Sequence, residues 1–460
     1  MAFGIARARS DQVDALCAIE RAALQLFRGH RAWPFYAAVA IPPPVLQQAV
    51  ARGLVWVAHD DAGAEAGFVW LDPDATGDGI GIAEIDVLPS HGRRGMGTAL
   101  LEHACGWARA AGYRRVQLGT LSDVAWNAPF YARHGFVPVA GDDPGLAAAR
   151  DRDRANGFPD GLRVYMRRTL PPLSPGEWTA WPAPAKLNLF LRVLGRRADG
   201  YHDLQTVFRL LDWGDEIRLR VRADGAIRRR DPVLDIAEAD DLAVRAARLL
   251  QAHAGSALGA DIAVDKRIPV GGGLGGGSSD AATVLVALDR LWDLRLGEDV
   301  LAGLGRRLGA DVAVFVRGRS AWAEGVGERL VPMALPRRSY VVLDPQARVS
   351  TARLFAAPQL TRNAPATTIS RFVSGADSEN AFTPVVRATY PEVAAALDWL
   401  GQFGQARLSG SGGCVFLETR SYDRAFAIAR RCPPGFVAQA VSGVAVSPLQ
   451  DALARHSAQA

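Results

Sequence analysis

Lysine is almost absent from this sequence of 460 residues. The chain carries 53 basic residues, yet only Lys186 and Lys266 are lysines and all the others are arginines. Lysine places a compact point charge on a flexible stem, whereas arginine presents a wide planar fork. A chain that uses arginine almost everywhere keeps lysine where arginine would not serve, so both lysines become candidates for functional positions.

Cysteine and long apolar runs are also scarce, and their scarcity excludes several classes of protein. The four cysteines form no CxxC pair, so we expect reduced thiols, no disulfide and no bound structural metal; they are Cys17, Cys105, Cys414 and Cys432. No apolar run reaches the roughly 20 residues that cross a bilayer, and the N-terminus lacks the pattern of a secretory signal. We therefore expect a cytoplasmic protein with no membrane partner.

The charge pattern argues against nucleic acid as a partner. The net charge is only +5, and no stripe of basic residues interleaved with aromatic residues occurs. Such a stripe is the usual electrostatic footprint of a nucleic-acid-binding surface. We expect small-molecule substrates instead, and the sequence does not indicate an oligomeric state.

The length predicts two or three domains. Residues 1–170 alternate between strand-like and helical apolar patterns, which is typical of an α/β domain. Residues 171–177 are rich in proline and form the predicted linker, because proline disfavours helices and central strands. A second α+β pattern covers residues 178–450, and residues 451–460 are expected to form a frayed tail.

A glycine loop follows a predicted strand in the second domain, with six glycines among residues 271–277. Such a loop turns its N–H groups inward and binds anions, and the helix after it adds a positive dipole end. No Gly-Lys-Ser/Thr follows, which excludes a Walker A loop, and the formal G-x-G-x-x-G match arises by accident within the glycine run. The predicted phosphate-binding residues are Pro269, Val270, Gly271, Gly272, Gly273, Leu274, Gly275, Gly276, Gly277, Ser278 and Ser279.

Residues 269–282 (PVGGGLGGGSSDAA) resemble the signature loop of the GHMP kinases, and residues 182–189 (PAPAKLNL) and 407–416 (RLSGSGGCVF) resemble the other motifs of that family. The resemblance implies a two-lobed kinase fold that uses ATP with Mg²⁺. Residues 197–205 (RADGYHDLQ), 308–317 (LGADVAVFVR) and 323–328 (AEGVGE) are similar to the member of the non-mevalonate isoprenoid route. That member phosphorylates the 2-hydroxyl of a cytidylyl-bearing alcohol. The alternative is a GHMP kinase for mevalonate-type or amino-alcohol substrates.

Two residues of these motifs match the catalytic pair of the family. Asp311 matches the aspartate that accepts the proton of the attacking alcohol, and Lys186 matches its partner lysine. A lysine can hold the carboxylate ionised and offset the charge that develops on oxygen. Taken alone, Asp311 could equally be the N-cap of a helix and Lys186 a partly buried strand lysine.

The resemblance also assigns the acceptor end of the site. It implies that Tyr201 stacks on the cytosine ring, that His202 hydrogen-bonds its edge, and that Asn188 binds substrate. A turn tyrosine, a surface histidine and a buried structural asparagine are the alternatives. Lys266, just before the loop, either reaches the ATP phosphates or caps a strand, and the sequence leaves that choice open.

The N-terminal domain has a phosphate-binding pattern of its own. Residues 83–101 (AEIDVLPSHGRRGMGTALL) predict a strand, a glycine-bearing turn and a helix, and they resemble the acyl-CoA motif of the GNAT N-acetyltransferases. Residues 127–136 (NAPFYARHGF) resemble the motif that follows. Gly92 departs from the Gln or Arg that begins the usual pattern. The implied acyl-CoA-binding residues are Leu88, Arg93, Arg94, Gly95, Met96, Gly97 and Thr98.

The GNAT resemblance implies a mixed sheet with helices, acetyl-CoA as a cofactor and Tyr131 as the acid that protonates the CoA thiolate. The base that deprotonates the amine is either Glu84 or Asp86, depending on which face of the strand each occupies. The alternative is a non-catalytic module that binds acyl-CoA without transferring the acyl group. The sequence does not identify the acceptor amine.

Overall fold

The computed structural model describes residues 3–38, 40–124, 126–140, 142–230, 236–375 and 377–458. The chain divides into two compact units, which comprise residues 1–174 with 454–460 and residues 175–453. No helix among the described ranges is both long and apolar enough to cross a bilayer.

The N-terminal unit alternates strands and helices, as predicted. Its strands are β1 (Gly4–Arg7), β2 (Val55–His59), β3 (Glu65–Pro73), β4 (Gly79–Val87), β5 (Arg115–Leu121), β6 (Val137–Pro138) and β7 (Arg163–Thr169). Its helices are α1 (Val13–Leu24), α2 (Trp33–Ala37), α3 (Pro43–Ala51), α4 (Met96–Ala110), α5 (Ala128–Arg133) and α6 (Ala147–Ala155).

These strands form one mixed sheet in the order β1-β2-β3-β4-β5-β7-β6. All neighbours pair antiparallel except β4 and β5, which are parallel. Their register covers only Gly79–Gly81 of β4, so residues 82–87 continue beyond the last pairing with β5. The sheet therefore opens between its two central strands. This arrangement confirms the predicted mixed sheet with helices.

The second unit begins with two long strands. Its strands are β8 (Thr179–Arg196), β9 (His202–Arg222), β10 (Ile227–Arg229), β11 (Gly259–Asp265), β12 (Ala321–Gly325), β13 (Arg329–Pro332), β14 (Ser339–Asp344), β15 (Ala406–Leu408), β16 (Val415–Thr419) and β17 (Val437–Ser442). The helices are α7 (Leu242–Ala254), α8 (Gly276–Leu291), α9 (Glu298–Arg306), α10 (Val312–Arg317), α11 (Thr351–Ala356), α12 (Ile369–Val373), α13 (Thr383–Thr389), α14 (Pro391–Gly401), α15 (Tyr422–Ala429) and α16 (Pro448–Ser457).

Separate sheets define the two lobes of this unit. One sheet has the order β10-β11-β9-β12-β13 with β8 paired to β9, and the other is β15-β16-β14-β17. The first sheet shares an apolar core with α7, α8, α9 and α10, while the second shares another with α13, α14 and α15. The predicted two-lobed architecture is confirmed. Residues from both lobes line the site described below.

Local capping explains why α7 and α8 begin where they do. The Asp241 carboxylate accepts a hydrogen bond from the backbone N–H of Ala243 at 2.8 Å, which satisfies a donor in the first turn of α7. Helix α8 begins after Gly275, whose φ of +77° only glycine adopts readily. The start of α8 therefore stays open toward any group that lies over the glycine loop.

The expectation of a frayed tail is wrong for residues 451–457, which belong to α16. Ser447 precedes Pro448, and its Oγ accepts a hydrogen bond from Leu449 N at 3.2 Å, which stabilises the start of the helix. The prediction considered the composition of the tail and overlooked this start signal. Leu449, Ala452 and His456 are buried at helical spacing. The last turn is grouped with the N-terminal unit, where Arg455 Nε donates to Ala111 O at 3.1 Å.

Candidate active site

The glycine loop adopts the conformation of an anion-binding nest. Gly271, Gly273 and Gly275 have φ of +77°, +75° and +77°, alternating with residues of negative φ. This alternation turns successive N–H groups toward one side of the backbone. Because α8 starts directly afterwards, its free N–H groups and dipole reinforce the same side. The loop thus has the geometry that a phosphate requires.

A second glycine turn, residues 409–413, packs directly against this loop. Gly413 N and Cys414 N donate to Gly271 O and Gly272 O at 3.1 and 3.0 Å. The contact is too close for side chains, since a Cβ on Gly412 would lie 1.9 Å from Gly273 N. The predicted motif at residues 407–416 therefore serves to support the phosphate loop.

Lys186 and Asp311 meet beside the glycine loop, although 125 residues separate them. Lys186 Nζ lies 3.2 Å from Asp311 Oδ2, and the lysine side chain is buried while the carboxylate is partly exposed. Asp311 stands at the N-cap position of α10, but its side chain makes no capping hydrogen bond. The structure thus decides against a capping role and directs the carboxylate toward Lys186.

The ammonium group of Lys186 is held on three sides by oxygen atoms. It donates to Asn188 Oδ1 at 2.5 Å and to Gly273 O at 2.9 Å, besides its contact with Asp311. These contacts account for the three N–H donors of a lysine. The lysine is therefore fixed between the phosphate loop and the carboxylate.

Asn188 lies beside Lys186 with hydrogen-bond partners at both ends of its amide. Its Oδ1 faces Lys186, its Nδ2 donates to Thr206 Oγ1 at 2.9 Å, and the residue is only 3% exposed. Both ends of the amide are thus engaged within the protein, although Asn188 lines the cavity. This arrangement favours an orienting role for Asn188, and its contact with substrate stays a prediction.

A cavity of about 870 Å³ runs along the glycine loop and contains most of the predicted site residues. The cavity walls include Lys186, Asn188, Tyr201, His202, Lys266, residues 269–278, Asp280, Asp311 and Phe355. Ser279 does not line it, being fully buried with an Oγ that has no hydrogen-bond partner. The cavity is large enough for a nucleotide and a second substrate.

Lys266 forms ion pairs with two aspartates, and whether it also reaches the ATP phosphates stays a prediction. Its Nζ contacts Asp215 Oδ2 at 2.5 Å and Asp280 Oδ2 at 2.9 Å, at the wall of the cavity. Burial, followed by the charge of Asp215, raises the pKa of Asp280 to about 8. The pKa of Lys266 is also raised: burial opposes this, but the two aspartates outweigh it. The lysine therefore neutralises a buried acidic pair at the start of α8.

The acceptor end of the cavity is aromatic. The His202 ring stacks on Phe355 with centroids 4.8 Å apart and an interplanar angle of 26°, and its Nε2 has no hydrogen-bond partner. Burial, then Arg362 and Arg196, lower the pKa of His202, so the ring is neutral near pH 7. Tyr201 is 66% exposed at the rim. Phe355 was missed from the sequence because it comes from α11, which carries no motif.

The predicted acyl-CoA loop of the N-terminal unit also forms a turn before a helix. Gly95 has φ +87° and precedes the first residue of α4, while Arg93 has φ +61°. Met96 is buried, so it can offer only its backbone N–H to a ligand. The open N-terminus of a 15-residue helix fits a pyrophosphate.

Glu84 and Asp86 lie on the same face of β4, because residues 84–87 pair with β3 in regular register. The choice between them as base is therefore not decided by face. Both charges act on Tyr131 of α5, and its pKa is raised, chiefly by burial. The three residues thus share one environment, with Tyr131 protonated at neutral pH.

Few side chains in the described ranges are arranged to bind a metal ion. No group of three or more His, Cys, Asp or Glu side chains there converges as a metal site. In the cavity, Ser278 places a hydroxyl at the end of the glycine loop. Such an oxygen fits Mg²⁺ that keeps the phosphates and water as most of its ligands.

Comparison with protein-family models matches three segments. Residues 241–319 match the GHMP kinases N terminal domain and residues 365–436 match GHMP kinases C terminal. Residues 51–138 match the acetyltransferase (GNAT) domain. Both resemblances noted in the sequence are thereby confirmed.

Curated relatives identify the kinase more closely. The 4-diphosphocytidyl-2-C-methyl-D-erythritol kinase of Xanthomonas euvesicatoria pv. vesicatoria is 58% identical over 278 residues, which cover 60% of this chain and 94% of the relative. The enzyme of the same name from Halorhodospira halophila is 58% identical over 284 residues, or 60% and 97%. A crystal structure of 4-(cytidine 5'-diphospho)-2C-methyl-D-erythritol kinase aligns with a TM-score of 0.50 at 35% identity, covering 58% of this chain and 99% of that one.

Proposed function

Since the chain belongs to the 4-diphosphocytidyl-2-C-methyl-D-erythritol kinase family, we propose that its second unit transfers the γ-phosphate of ATP at the Lys186–Asp311 pair. The acceptor is the 2-hydroxyl of the cytidylyl methylerythritol, and the reaction serves isoprenoid biosynthesis. The observation that carries this assignment is the 3.2 Å contact between Lys186 and Asp311, directly beside the glycine loop.

The geometry supports a simple proton and phosphate balance. The substrate hydroxyl oxygen attacks the γ-phosphorus, the bond from that phosphorus to the β,γ-bridging oxygen breaks, and ADP leaves. The hydroxyl proton passes to the Asp311 carboxylate, which is partly exposed to the cavity. The fixed ammonium of Lys186 offsets charge on the attacking oxygen and needs no reorganisation during the step.

The nucleotide phosphates are assigned to the loop of residues 269–278, whose N–H groups form the nest. When bound with the nucleotide, Mg²⁺ neutralises charge on the transferring phosphate. The Ser278 hydroxyl, which lines the cavity at the end of the glycine loop, would contribute to its coordination, and Asp311 keeps its role as proton acceptor. The alternative of a mevalonate-type or amino-alcohol acceptor is disfavoured by the aromatic His202–Phe355 end, which suits a planar base.

The experiment that tests this assignment compares acceptors with purified protein and ATP. We expect ADP release and phosphorylated product with the cytidylyl methylerythritol, and no turnover with mevalonate or homoserine. Asp311→Asn should lower kcat by at least about 1000-fold, since it removes the proton acceptor and the partner of Lys186, while ATP binding persists. Near-normal kcat in that variant would overturn the assignment.

The N-terminal unit is a GNAT domain, and we infer that it transfers an acyl group from acyl-CoA to an amine. The opening between β4 and β5 begins after Gly81, on the strand that carries Glu84 and Asp86. Tyr131, on which both carboxylates act, would protonate the leaving thiolate. These groups favour transfer over simple binding.

Acetyl-CoA turnover with an amine panel tests this second activity. We expect free thiol to appear with the wild type and to fall at least about tenfold in Tyr131→Phe, whose binding of CoA is unchanged. CoA binding without thiol release for any amine would support the non-catalytic alternative instead.

A further inference from the structure

We propose that the acceptor of the N-terminal unit is a small amine carrying a second cationic group, a diamine or polyamine, held by Glu20, Glu84 and Asp86. The inference rests on the proposed acyltransferase function and names the substrate class of that site. It comes from the presence of three neighbouring carboxylates, whereas the proton transfer requires only one.

Helix α1 brings the third carboxylate to the two on β4. The apolar face of α1 packs on β3 with Leu16, Ile19 and Phe68 in one core. Phe68 is paired with Asp86 and lies on the same sheet face as Glu84 and Asp86, so this is the face that α1 covers. Glu20 follows Ile19 on the buried side of the helix and its charge acts on both strand carboxylates.

The burial of Glu20 and its missing hydrogen bond are a separate indication that a ligand binds here. The residue is 3% exposed, and its Oε1 accepts a hydrogen bond from Ile41 N at 3.0 Å. Its Oε2 is buried and has no hydrogen-bond partner, and the same holds for Asp86 Oδ2. A buried carboxylate oxygen without a donor is costly, which argues that a donor arrives with the ligand.

The missing donors are cationic rather than neutral. In the described part of the chain, Glu20, Glu84 and Asp86 form no ion pair with any basic side chain. Burial, then mutual repulsion, raise the pKa of Glu84 to about 7 and that of Asp86 well above its ordinary value. Two ammonium groups would relieve that repulsion and restore the ionised forms.

An acceptor bearing its own carboxylate is disfavoured at this site. The cations that act on Glu84 are Arg163 and Arg152. Each already lies beside an aspartate, with Arg163 Nε 3.2 Å from Asp153 Oδ2 and Arg152 Nη1 3.5 Å from Asp72 Oδ2. An acidic acceptor would therefore add a fourth negative charge and compete with these aspartates for their cations. Tyr36 and Tyr131, which sense the same strand carboxylates, can donate only neutral hydrogen bonds.

The carboxylates divide two tasks. One of Glu84 and Asp86 takes one proton of the reacting ammonium, and the freed amine attacks the thioester carbonyl. The C–S bond breaks and the CoA thiolate takes a proton from Tyr131. The second proton, which the nitrogen loses as the amide forms, restores the Tyr131 hydroxyl. The remaining carboxylate and Glu20 hold the second ammonium, which keeps its proton throughout and fixes the orientation of the acceptor.

The test measures kcat/KM with the full-length protein and acetyl-CoA for 1,4-diaminobutane and spermidine against butylamine and glutamate. We expect the diamines to exceed butylamine by at least about tenfold, the size of one charge-assisted hydrogen bond, and glutamate to be the poorest. Glu20→Gln keeps the acceptor for Ile41 N and should remove most of the preference. Asp11→Asn, an exposed charge on the same unit, should leave it intact.

The outcomes separate the inference from the function beneath it. Acetylation of butylamine as efficiently as of the diamines, or a preference for glutamate, overturns the dicationic acceptor and leaves the acyltransferase standing. No transfer to any amine while CoA binds overturns both. If Glu20→Gln fails to fold, as judged by lost CoA binding, Asp86→Asn assayed in the same way takes its place, and an undiminished diamine preference there counts against the proposal.

Discussion

Asn188 orients Lys186: its Oδ1 accepts a hydrogen bond from Lys186 Nζ at 2.5 Å, and its Nδ2 donates to Thr206 Oγ1 at 2.9 Å. The amide is therefore a link between β9 and the catalytic pair. Such a link fixes a charged group within the tolerance that phosphoryl transfer demands, because small misplacements of a catalytic group are costly.

Replacing Asn188 by alanine should separate an orienting role from a substrate contact. We expect kcat to fall about 10- to 100-fold, the effect of one lost charge-assisted hydrogen bond, with KM for ATP and the cytidylyl substrate changed less than about threefold. Steady-state kinetics measure both constants. Thr206→Ser keeps the hydroxyl and serves as the matched control. A raised KM for the cytidylyl substrate with unchanged kcat would assign Asn188 to substrate binding instead.

The scarcity of lysine leads to a second prediction. Gly275 and Gly410 enclose the end of the Lys186 side chain. A Cβ built on Gly275 would lie 3.1 Å from Lys186 Cε, and a Cβ built on Gly410 would lie 3.3 Å from Lys186 Nζ. A guanidinium is too wide for that space, so Lys186→Arg should lower kcat at least about 100-fold despite keeping the charge. Arg248→Lys, on the surface of α7, should leave kcat unchanged. Activity of Lys186→Arg within a few-fold of the wild type would show that charge alone suffices.

Sequence patterns predicted the parts of the site that lie in short motifs. The glycine loop needs a positive φ at every second residue, and Asp311 and Lys186 stand in segments whose composition serves their chemistry, so the local sequence was informative. Phe355 and the Asp215–Lys266–Asp280 cluster depend on contacts between distant segments, which no local pattern encodes. Asn188 was found two residues from Lys186 on β8, but its other partner, Thr206, is set by the pairing of β8 with β9.

Gly273 is a sensitive test of the packing between the two glycine turns. Its φ is +75°, and a Cβ there would stand 2.1 Å from Ser409 O, a backbone atom that cannot move aside. We expect Gly273→Ala to destabilise the second unit by at least about 2 kcal/mol and to weaken ATP binding. Chemical denaturation and nucleotide titration measure the two effects.

Gly303 provides a control, because the same substitution there should stabilise the unit instead of destabilising it. It lies inside α9, has ordinary helical backbone, and a Cβ would meet nothing closer than Arg306 Nη2 at 4.0 Å. Gly303→Ala should therefore stabilise the same unit by up to about 1 kcal/mol and leave ATP binding unchanged. Equal effects of the two substitutions would contradict the structural account of the loop.

Lys266 should be structural, and its removal should expose the acidic pair beneath the loop. Lys266→Met leaves Asp215 and Asp280 buried without a cation, and we expect a loss of about 3 kcal/mol of unfolding free energy. Lys266→Met combined with Asp280→Asn should recover part of that loss, because only one carboxylate remains. Calorimetry of the full chain measures the change in unfolding free energy. The transition of the second unit is identified as the one that an ATP analogue shifts to higher temperature.

The pH dependence of the same transition has a definite sign. Asp280 has a folded pKa of about 8 against the ordinary aspartate value of 3.8, so between about pH 4 and pH 8 the folded protein holds a proton that the unfolded chain has released. The free energy of unfolding contributed by Asp280 must then fall as pH rises through this window, and Asp280→Asn should flatten the profile. A profile equally steep in Asp280→Asn would show that Lys266 keeps Asp280 ionised in the folded protein, because a carboxylate that is ionised in both states contributes no slope.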